Sequence, residues 1–234
     1  MPQTYLVAGA SAGIGSAIAA CLTEQGANVI ALNRNEGELA NNPNITFYPC
    51  DFTDRSVELP KMSGPINGLA YLPGTINLKP FQNLTEDDYR TDWEVNFLGA
   101  TRLINHCLPN LKEANLSSIV LMSTVAVQQG MSYHASIASA KGAIEGLTRS
   151  LAAEFAPKIR VNAVAPSLTA TGLAEHLIKD EKRKEQAGNR HPMQRIGAPQ
   201  DIAEAVVYLL SEKSSWTTGQ ILHVDGGLSS IQLL

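Results

Sequence analysis

One stretch near the start of the chain restricts most strongly what it can fold into: a short apolar run, three glycines, and then a segment of helical periodicity. The apolar run is Tyr5–Ala8, the glycines are Gly9, Gly13 and Gly15, and the periodic segment covers residues 14–22. A strand that turns on glycines into a helix gathers unpaired backbone N–H groups at the positive end of the helix dipole, which makes an anion site. Glycine also permits the tight turn and the close approach of a ligand to the backbone. The stretch therefore predicts dinucleotide binding rather than a purely structural turn.

The spacing of these glycines, Gly-x-x-x-Gly-x-Gly, resembles that of the short-chain dehydrogenase/reductase family, and matching segments follow along nearly the whole chain. They include Asn96 in Asn-Phe-Leu-Gly, Lys141 before the run 142–151, the loop 166–171, and Val-Asp-Gly-Gly at 224–227. Six predicted strands alternate with helices before a seventh strand near the C-terminus. The predicted fold class is α/β, a single-domain Rossmann-type doubly wound parallel sheet of about seven strands with helices on both faces.

The length of the chain agrees with one such domain. Its 234 residues, 44% of them hydrophobic, suffice for one well-buried α/β domain and are few for two. We expect a single NAD(P)-binding domain over residues 1–234, with a substrate lid around 172–193. The longest predicted helix covers 86–108 with Thr85 as its cap, and a shorter helix is expected to begin near Asp54.

Charge and cysteine content limit the partners and the compartment. A net charge of −4 gives no indication of a nucleic-acid or anionic-membrane partner. Cys21, Cys50 and Cys107 are widely spaced and odd in number, which is typical of reduced, mostly buried thiols and not of a disulfide framework or a metal site. No apolar run reaches membrane-spanning length, and residues 1–3 leave no room for a signal peptide before the first strand. We expect a cytoplasmic protein that uses no metal.

The end of the predicted second strand bears on the choice between the two nicotinamide cofactors. An acidic residue there binds the ribose 2′-hydroxyl of NAD, whereas a nearby arginine accommodates the 2′-phosphate of NADP. Here the residues are Asn33 and Arg34, and a guanidinium can bind a phosphate through two parallel hydrogen bonds. NADP is therefore the predicted cofactor and NAD the second choice. The alternative is that Arg34 is an ordinary surface arginine, and Ala12 withholds a second basic residue from the glycine loop.

The resemblance also implies which residues contact the cofactor. Asp51 resembles the aspartate that binds the adenine amino group, although it can equally be the N-cap of the helix expected near Asp54. The full set that the resemblance implies is Gly9, Ser11, Gly13, Ile14, Gly15, Asn33, Arg34, Asp51, Phe52, Gly74, Lys141, Pro166, Thr169 and Thr171.

The catalytic residues implied by the resemblance are present except for one. In the family a tyrosine four residues before the lysine handles the proton, and a serine about thirteen residues before the tyrosine orients the carbonyl. A helix-interior asparagine disturbs its helix so that a carbonyl holds a water bonded to the lysine. Counting back from Lys141 gives Ile137, which can neither donate nor accept a proton, and then Thr124, whose hydroxyl can still polarise a carbonyl. Asn96 corresponds to the asparagine.

Two interpretations of this gap remain open. In the first, the protein is an oxidoreductase acting on a small carbonyl, alcohol or enoyl substrate, and another group supplies the proton. His134, two helical turns before Lys141, and the neighbouring Tyr133 are the candidates. In the second, the fold binds NADP(H) without turnover and serves as a sensor or scaffold. The glycine loop, Asn96 and Lys141 favour the enzyme.

The two long predicted helices also bear on assembly. The segments 86–108 and 137–155 carry apolar residues around more of their surface than one sheet face can cover. In the family these helices pair about a two-fold axis, and the C-terminal strand completes a tetramer. We therefore expect a homotetramer, or at least a homodimer.

Overall fold

Seven parallel strands form the single sheet of the computed structural model, which describes residues 2–39 and 42–232. Each strand is a short, mostly apolar run, and the central ones are buried on both faces. The sheet order is β3-β2-β1-β4-β5-β6-β7. The strands are β1 Thr4–Ala8, β2 Asn28–Asn33, β3 Ile45–Pro49, β4 Gly68–Tyr71, β5 Ser117–Met122, β6 Ile159–Pro166 and β7 Ile221–Val224.

Seven α-helices and several shorter turns connect these strands. The helices are α1 Gly13–Glu24, α2 Glu86–Trp93, α3 Gly99–Glu113, α4 Val125–Gln128, α5 Ala135–Phe155, α6 Glu181–Gly188 and α7 Pro199–Leu210. A π-helical turn, Glu94–Leu98, joins α2 to α3, and 3₁₀ turns cover Gly37–Leu39, Phe81–Asn83, Gly172–Leu177 and Glu212–Ser214. The predicted doubly wound α/β fold is confirmed.

Two hydrophobic clusters show that helices cover both faces of the sheet. On one face, Ile18 of α1 and Val206 of α7 pack against apolar residues of β1 and β2. On the other face, Leu103 of α3 and Ile144 of α5 pack against β4, β5 and β6. The winding reverses between β1 and β4, which lie side by side, so a crevice opens at the carboxyl ends of these two strands.

The prediction of a helix that begins near Asp54 is wrong. Residues 50–67 form turns and extended chain, and Asp51 is not a helix cap. Its carboxylate instead accepts hydrogen bonds from the backbone N–H of Thr53 at 2.9 Å and from the hydroxyl of Thr53 at 2.8 Å. This local pairing satisfies the aspartate within a turn, which competes with helix formation.

The long helix predicted over 86–108 extends to Glu113 and is interrupted by the π-helical turn. Its start is as predicted, because Thr85 and Asp88 form a reciprocal capping box. The segment expected to be a lid contains the 3₁₀ turn Gly172–Leu177 and helix α6.

The state of the cysteines and the hydropathy of the helices agree with what the sequence predicted. Cys21, Cys50 and Cys107 are free thiols, and the last two are buried. Among the described residues, no helix is both long enough and apolar enough to cross a membrane.

Candidate dinucleotide and active site

The glycine loop between β1 and α1 is shaped by three positions that a side chain would block. Gly9 has φ +82°, and a Cβ there would lie 3.2 Å from the Pro73 nitrogen; Gly13 has φ +59°. At Gly15 a Cβ would lie only 2.0 Å from the carbonyl oxygen of Gly9, so α1 can pack on the loop only with glycine at this position. Because no side chain caps α1, its first N–H groups remain free to bind an anion. The loop therefore fits a dinucleotide pyrophosphate.

Asn33 and Arg34 at the end of β2 differ in burial and in their contacts with this loop. Asn33 is buried, and its side-chain oxygen accepts a hydrogen bond from the backbone N–H of Ala10. Its side-chain nitrogen has no partner among the described residues, which leaves a donor for a ligand. Arg34 is exposed, and its charge contributes to lowering the pKa of Asp51, after the larger effect of the Thr53 hydrogen bonds.

The loop after β6 closes the crevice from the opposite side. Thr171 contacts the glycine loop, since a Cβ on Gly13 would lie 3.2 Å from its methyl carbon. Thr169 is buried and donates a hydrogen bond to the carbonyl oxygen of Ser167 at 3.1 Å. Pro166, the last residue of β6, is half-buried. Sequence reasoning missed the next contact: the Ser167 hydroxyl lies 2.9 Å from Nε2 of the buried His191.

Asn96 lies within the π-helical turn, fully buried at 0% exposure. Its side-chain nitrogen donates to the backbone carbonyl of Asp92 and to the hydroxyl of Thr75, both at 2.8 Å. The Thr75 hydroxyl donates in turn to the Asp92 carboxylate at 2.5 Å. The buried phenol of Tyr71 donates to the carbonyl of Val95 at 2.6 Å and so occupies a carbonyl of the same turn. Side chains from β4 and the loop after it thus hold this irregular helical segment in place.

Lys141 reaches the same cluster from α5. Gly74 separates it from Asn96: a Cβ on Gly74 would lie 3.1 Å from the side-chain oxygen of Asn96 and 3.7 Å from the Lys141 nitrogen. Burial lowers the pKa of Lys141 to about 8, and the negative charge of Asp92 acts in the opposite direction.

Thr124 follows β5 and caps the short helix α4. Its hydroxyl oxygen accepts a hydrogen bond from the backbone N–H of Ala126 at 3.3 Å, so the hydroxyl proton is free to be donated elsewhere. The adjacent Ser123 is committed to another partner, because its hydroxyl donates to the buried carboxylate of Glu145 at 2.8 Å. Thr124 is therefore the hydroxyl of this pair that can reach a substrate.

The three residues at and near the position where the resemblance implied a tyrosine differ in environment. Ile137 is buried in the first turn of α5. His134 is the residue that precedes α5, and its Nδ1 lies 2.8 Å from the carbonyl oxygen of Ser132. Tyr133 has φ +71°, and 59% of its surface is exposed.

Thr75, Asp92 and Tyr71 were not predicted as site residues, although the sequence holds a signal for two of them. Asp92 precedes Asn96 by four residues, which places both on one face of a helix, and Thr75 directly follows Gly74. The role of Tyr71 has no such signal, because its contact with Val95 depends on how β4 packs against the π-helical turn.

Comparison with known proteins gives a family match over most of the chain. A family model described as Enoyl-(Acyl carrier protein) reductase matches residues 9–229. A chloroplastic tropinone reductase homolog of Arabidopsis thaliana is 35% identical over 243 residues, covering 97% of this chain and 76% of the relative. The L-xylulose reductase of Bos taurus is 30% identical over 230 residues, covering 95% of this chain and 94% of the relative.

A solved structure from Beutenbergia cavernae shares the fold. It holds NADP at low occupancy, and the protein is proposed to be an NAD(P)-dependent gluconate 5-dehydrogenase. The two chains superimpose with a TM-score of 0.88 at 28% identity, covering 98% of this chain and 97% of the other.

Proposed function

The chain belongs to the short-chain dehydrogenase/reductase family, and from that membership we propose that it is an NADP(H)-dependent oxidoreductase. Its substrate is a small carbonyl or alcohol compound, with an enoyl compound as a further possibility. The observation that carries this proposal is that the glycine loop follows the carboxyl end of β1 and Thr124 follows that of β5, with only β4 between them. Lys141 of α5 lies beside Gly74, in the loop after β4. Parallel α/β sheets bind ligands in this position.

The bound cofactor would supply or accept the hydride, and the residues of the chain would position the substrate and handle the proton. Thr124 donates a hydrogen bond from its hydroxyl to the substrate oxygen and so polarises the carbonyl, while its own oxygen accepts from the backbone N–H of Ala126. Lys141 provides a positive charge in a buried site, where charge interactions are stronger than in water. Ile137 forms an apolar wall that excludes water beside them.

His134 is the first candidate for the group that replaces the tyrosine. A carbonyl oxygen can only accept, so the contact with Ser132 assigns a proton to Nδ1 of His134 and leaves Nε2 of the neutral ring as an acceptor. The ring therefore donates a proton from Nε2 only as the imidazolium and accepts one there when neutral. Tyr133 is the second candidate, and its exposed position suits a residue that lines the mouth of the cleft.

NADP is the proposed cofactor and NAD the second choice. Arg34 is exposed at the end of β2, and no carboxylate at that strand end would repel a 2′-phosphate. The NADP held by the Beutenbergia cavernae structure supports the same choice.

We further propose that residues 172–193 act as the substrate lid of a single domain, and that the protein is cytoplasmic. The 3₁₀ turn Gly172–Leu177 and helix α6 directly follow the loop that contacts the glycine loop, so a displacement of this segment would open the crevice.

A homotetramer, or at least a homodimer, is the proposed assembly. Trp93 is 40% exposed on α2, Leu222 is 37% exposed on β7, and Trp216 is 100% exposed before β7. These side chains lie on α2 and on or just before β7, the elements through which members of the family assemble, and an oligomer would cover them. Light scattering at micromolar concentration tests this, and a monomer would refute it.

The experiment that tests the proposed function has two steps. Fluorescence titration should show binding of NADPH that is tighter than binding of NADH. A screen of ketones, aldehydes and enoyl thioesters should then reveal at least one compound that drives NADPH consumption. Binding without consumption of any substrate would instead support the catalytically silent sensor or scaffold.

A further inference from the structure

Asp92 is a buried carboxylate beside the candidate active site, and the proposed function does not use it. It is 1% exposed, and one of its oxygens accepts the hydrogen bond from Thr75. Its second oxygen, Oδ2, has no partner among the described residues. A buried, half-satisfied carboxylate is costly, because the charge has lost its hydration.

Lys141 brings a positive charge to the same cluster, because a Cβ on Gly74 would lie 3.7 Å from the Lys141 nitrogen and 3.1 Å from the side-chain oxygen of Asn96. Asn96 in turn shares the hydroxyl of Thr75 with Asp92. Oδ2 of Asp92 has no hydrogen-bond partner within residues 2–39 and 42–232, so it does not bind the Lys141 nitrogen directly. The negative charge of Asp92 nevertheless acts on the lysine, because it raises the pKa of Lys141 against the lowering effect of burial. In a buried site, attraction persists at distances beyond direct contact.

The other carboxylates that are buried or half-buried on the elements packed around Lys141 have partners of their own, whereas Asp87 and Glu154 are exposed to solvent. Glu145 binds Ser123 and Arg149, Glu94 binds Arg102 and Arg55, and Asp88 binds Lys79. Tyr71 donates to Val95, and His134 contacts Ser132. Asp92 is thus left as the carboxylate available to balance the lysine charge.

We propose that Asp92 is a positioning residue that acts through Lys141: its carboxylate is the counter-charge that keeps the lysine in its ammonium form inside the site. Thr75 fixes one oxygen of the carboxylate, and the free oxygen is left to face positive charge. The use of that ammonium in turnover rests on the proposed function, whereas the charge pair itself does not.

Removal of the charge of Asp92 gives the direct test. Burial alone drives Lys141 toward its neutral amine, and Asp92 opposes this, so Asp92→Asn should lower the pKa of Lys141 below its value of about 8. The expected decrease is about one unit or more, as for other losses of a nearby opposite charge. The measurement is an NMR titration of isotope-labelled lysine in the protein without added cofactor, with the Lys141 signal assigned through Lys141→Met.

Glu94→Gln is the matched control. It removes another buried carboxylate from the same helical segment, but that carboxylate is balanced by Arg102 and Arg55. The pKa of Lys141 should therefore stay at its wild-type value in this variant, even if the protein melts at a lower temperature. If Asp92→Asn does not fold, Asp92→Ser keeps a hydroxyl near Thr75 and serves in its place.

A Lys141 pKa that is the same in the folded Asp92 variant as in the wild type would overturn the proposal, as would an equal decrease in Glu94→Gln. The readout is independent of turnover. A wild-type protein that fails to bind NADPH would contradict the proposed function, while the lysine titration would still decide the role of Asp92.

Discussion

The two halves of this site differ in how well they can be predicted from the sequence. The cofactor half is the glycine loop with Asn33 and Arg34, and the catalytic half is the cluster around Lys141, Thr124 and Asn96. In the cofactor half, backbone geometry requires Gly9, Gly13 and Gly15: the first two have positive φ, and a Cβ on the third would meet the carbonyl oxygen of Gly9 at 2.0 Å. The pattern of glycines alone is therefore enough to predict the loop. Because few residues other than glycine can satisfy such a backbone constraint, a single sequence is enough to reveal it.

The catalytic half depends on side chains that converge from separate elements. Ile137 stands at the position of the expected tyrosine, while Thr75, Asp92 and Asn96 form a hydrogen-bonded cluster beside Lys141. Side-chain chemistry at such a site can be rearranged without altering the fold. The comparison implies that the two halves should respond separately to mutation.

The largest effect is expected in the catalytic half, on the rate of turnover. With a substrate found by the screen, His134→Ala should lower kcat by ~10²–10⁴, the usual loss for a general acid. Thr124→Ala should also reduce it, through lost polarisation of the carbonyl. Cofactor affinity should change little in both variants. If neither His134→Ala nor Tyr133→Phe alters the rate, neither residue replaces the tyrosine.

Ile137→Tyr adds a candidate proton donor instead of removing one. It restores a tyrosine one helical turn before Lys141, and it should create or increase ordinary carbonyl reductase activity. Ile137→Phe adds the ring without the hydroxyl and controls for the change in shape, so activity gained equally by both variants would not come from a proton donor.

A second, smaller effect concerns stability and pH. The ordinary lysine pKa of 10.5 is lowered to about 8 in the folded protein, so the ammonium costs about 3 kcal/mol of stability below pH 8. This cost disappears as the pH rises from about 8 to 10.5, because the amine is then neutral in both states. Lys141→Met should therefore be more stable than the wild type at pH 7 and lose that advantage near pH 10.5, as measured by chemical denaturation. A difference that is independent of pH would contradict this.

The smallest effect is expected in the cofactor half. Arg34→Ala should weaken NADPH binding about tenfold or more, the usual result of removing one charged hydrogen-bonding group, and leave NADH binding nearly unchanged. Lys112→Ala, at the far end of α3, removes the same charge and should affect neither cofactor. Equal losses for NADPH and NADH in Arg34→Ala would reject the NADP assignment.

Asn33→Asp gives a second test of the preference for NADPH over NADH. The carboxylate keeps an acceptor for the Ala10 N–H and puts a second oxygen in place of the unpartnered nitrogen. That oxygen can accept from a ribose hydroxyl and repels a 2′-phosphate, so the variant should shift preference towards NADH.

The sequence predicted the fold more fully than the site. Strand and helix periodicity, together with the Thr85 cap, were sufficient for a parallel sheet of seven strands and for the start of the helix at Glu86. The helix expected near Asp54 failed because Asp51 forms a local turn with Thr53. Asn96 was expected to disturb its helix, and it lies in a π-helical turn. The hydrogen bond between Thr75 and Asp92 was missed, although Asp92 lies four residues before Asn96, because it joins residues 17 positions apart.

The transfer of a label tests the central claim most directly. NADPH that carries deuterium at both hydrogens of C4 of its nicotinamide ring is incubated with the wild-type protein and the carbonyl panel, and the products are examined by mass spectrometry. If the protein is an oxidoreductase that retains hydride transfer with isoleucine at position 137, deuterium should appear on the carbon of the reduced product. NADPH that binds tightly but keeps its deuterium with every compound would contradict the account and leave a protein that only binds the cofactor.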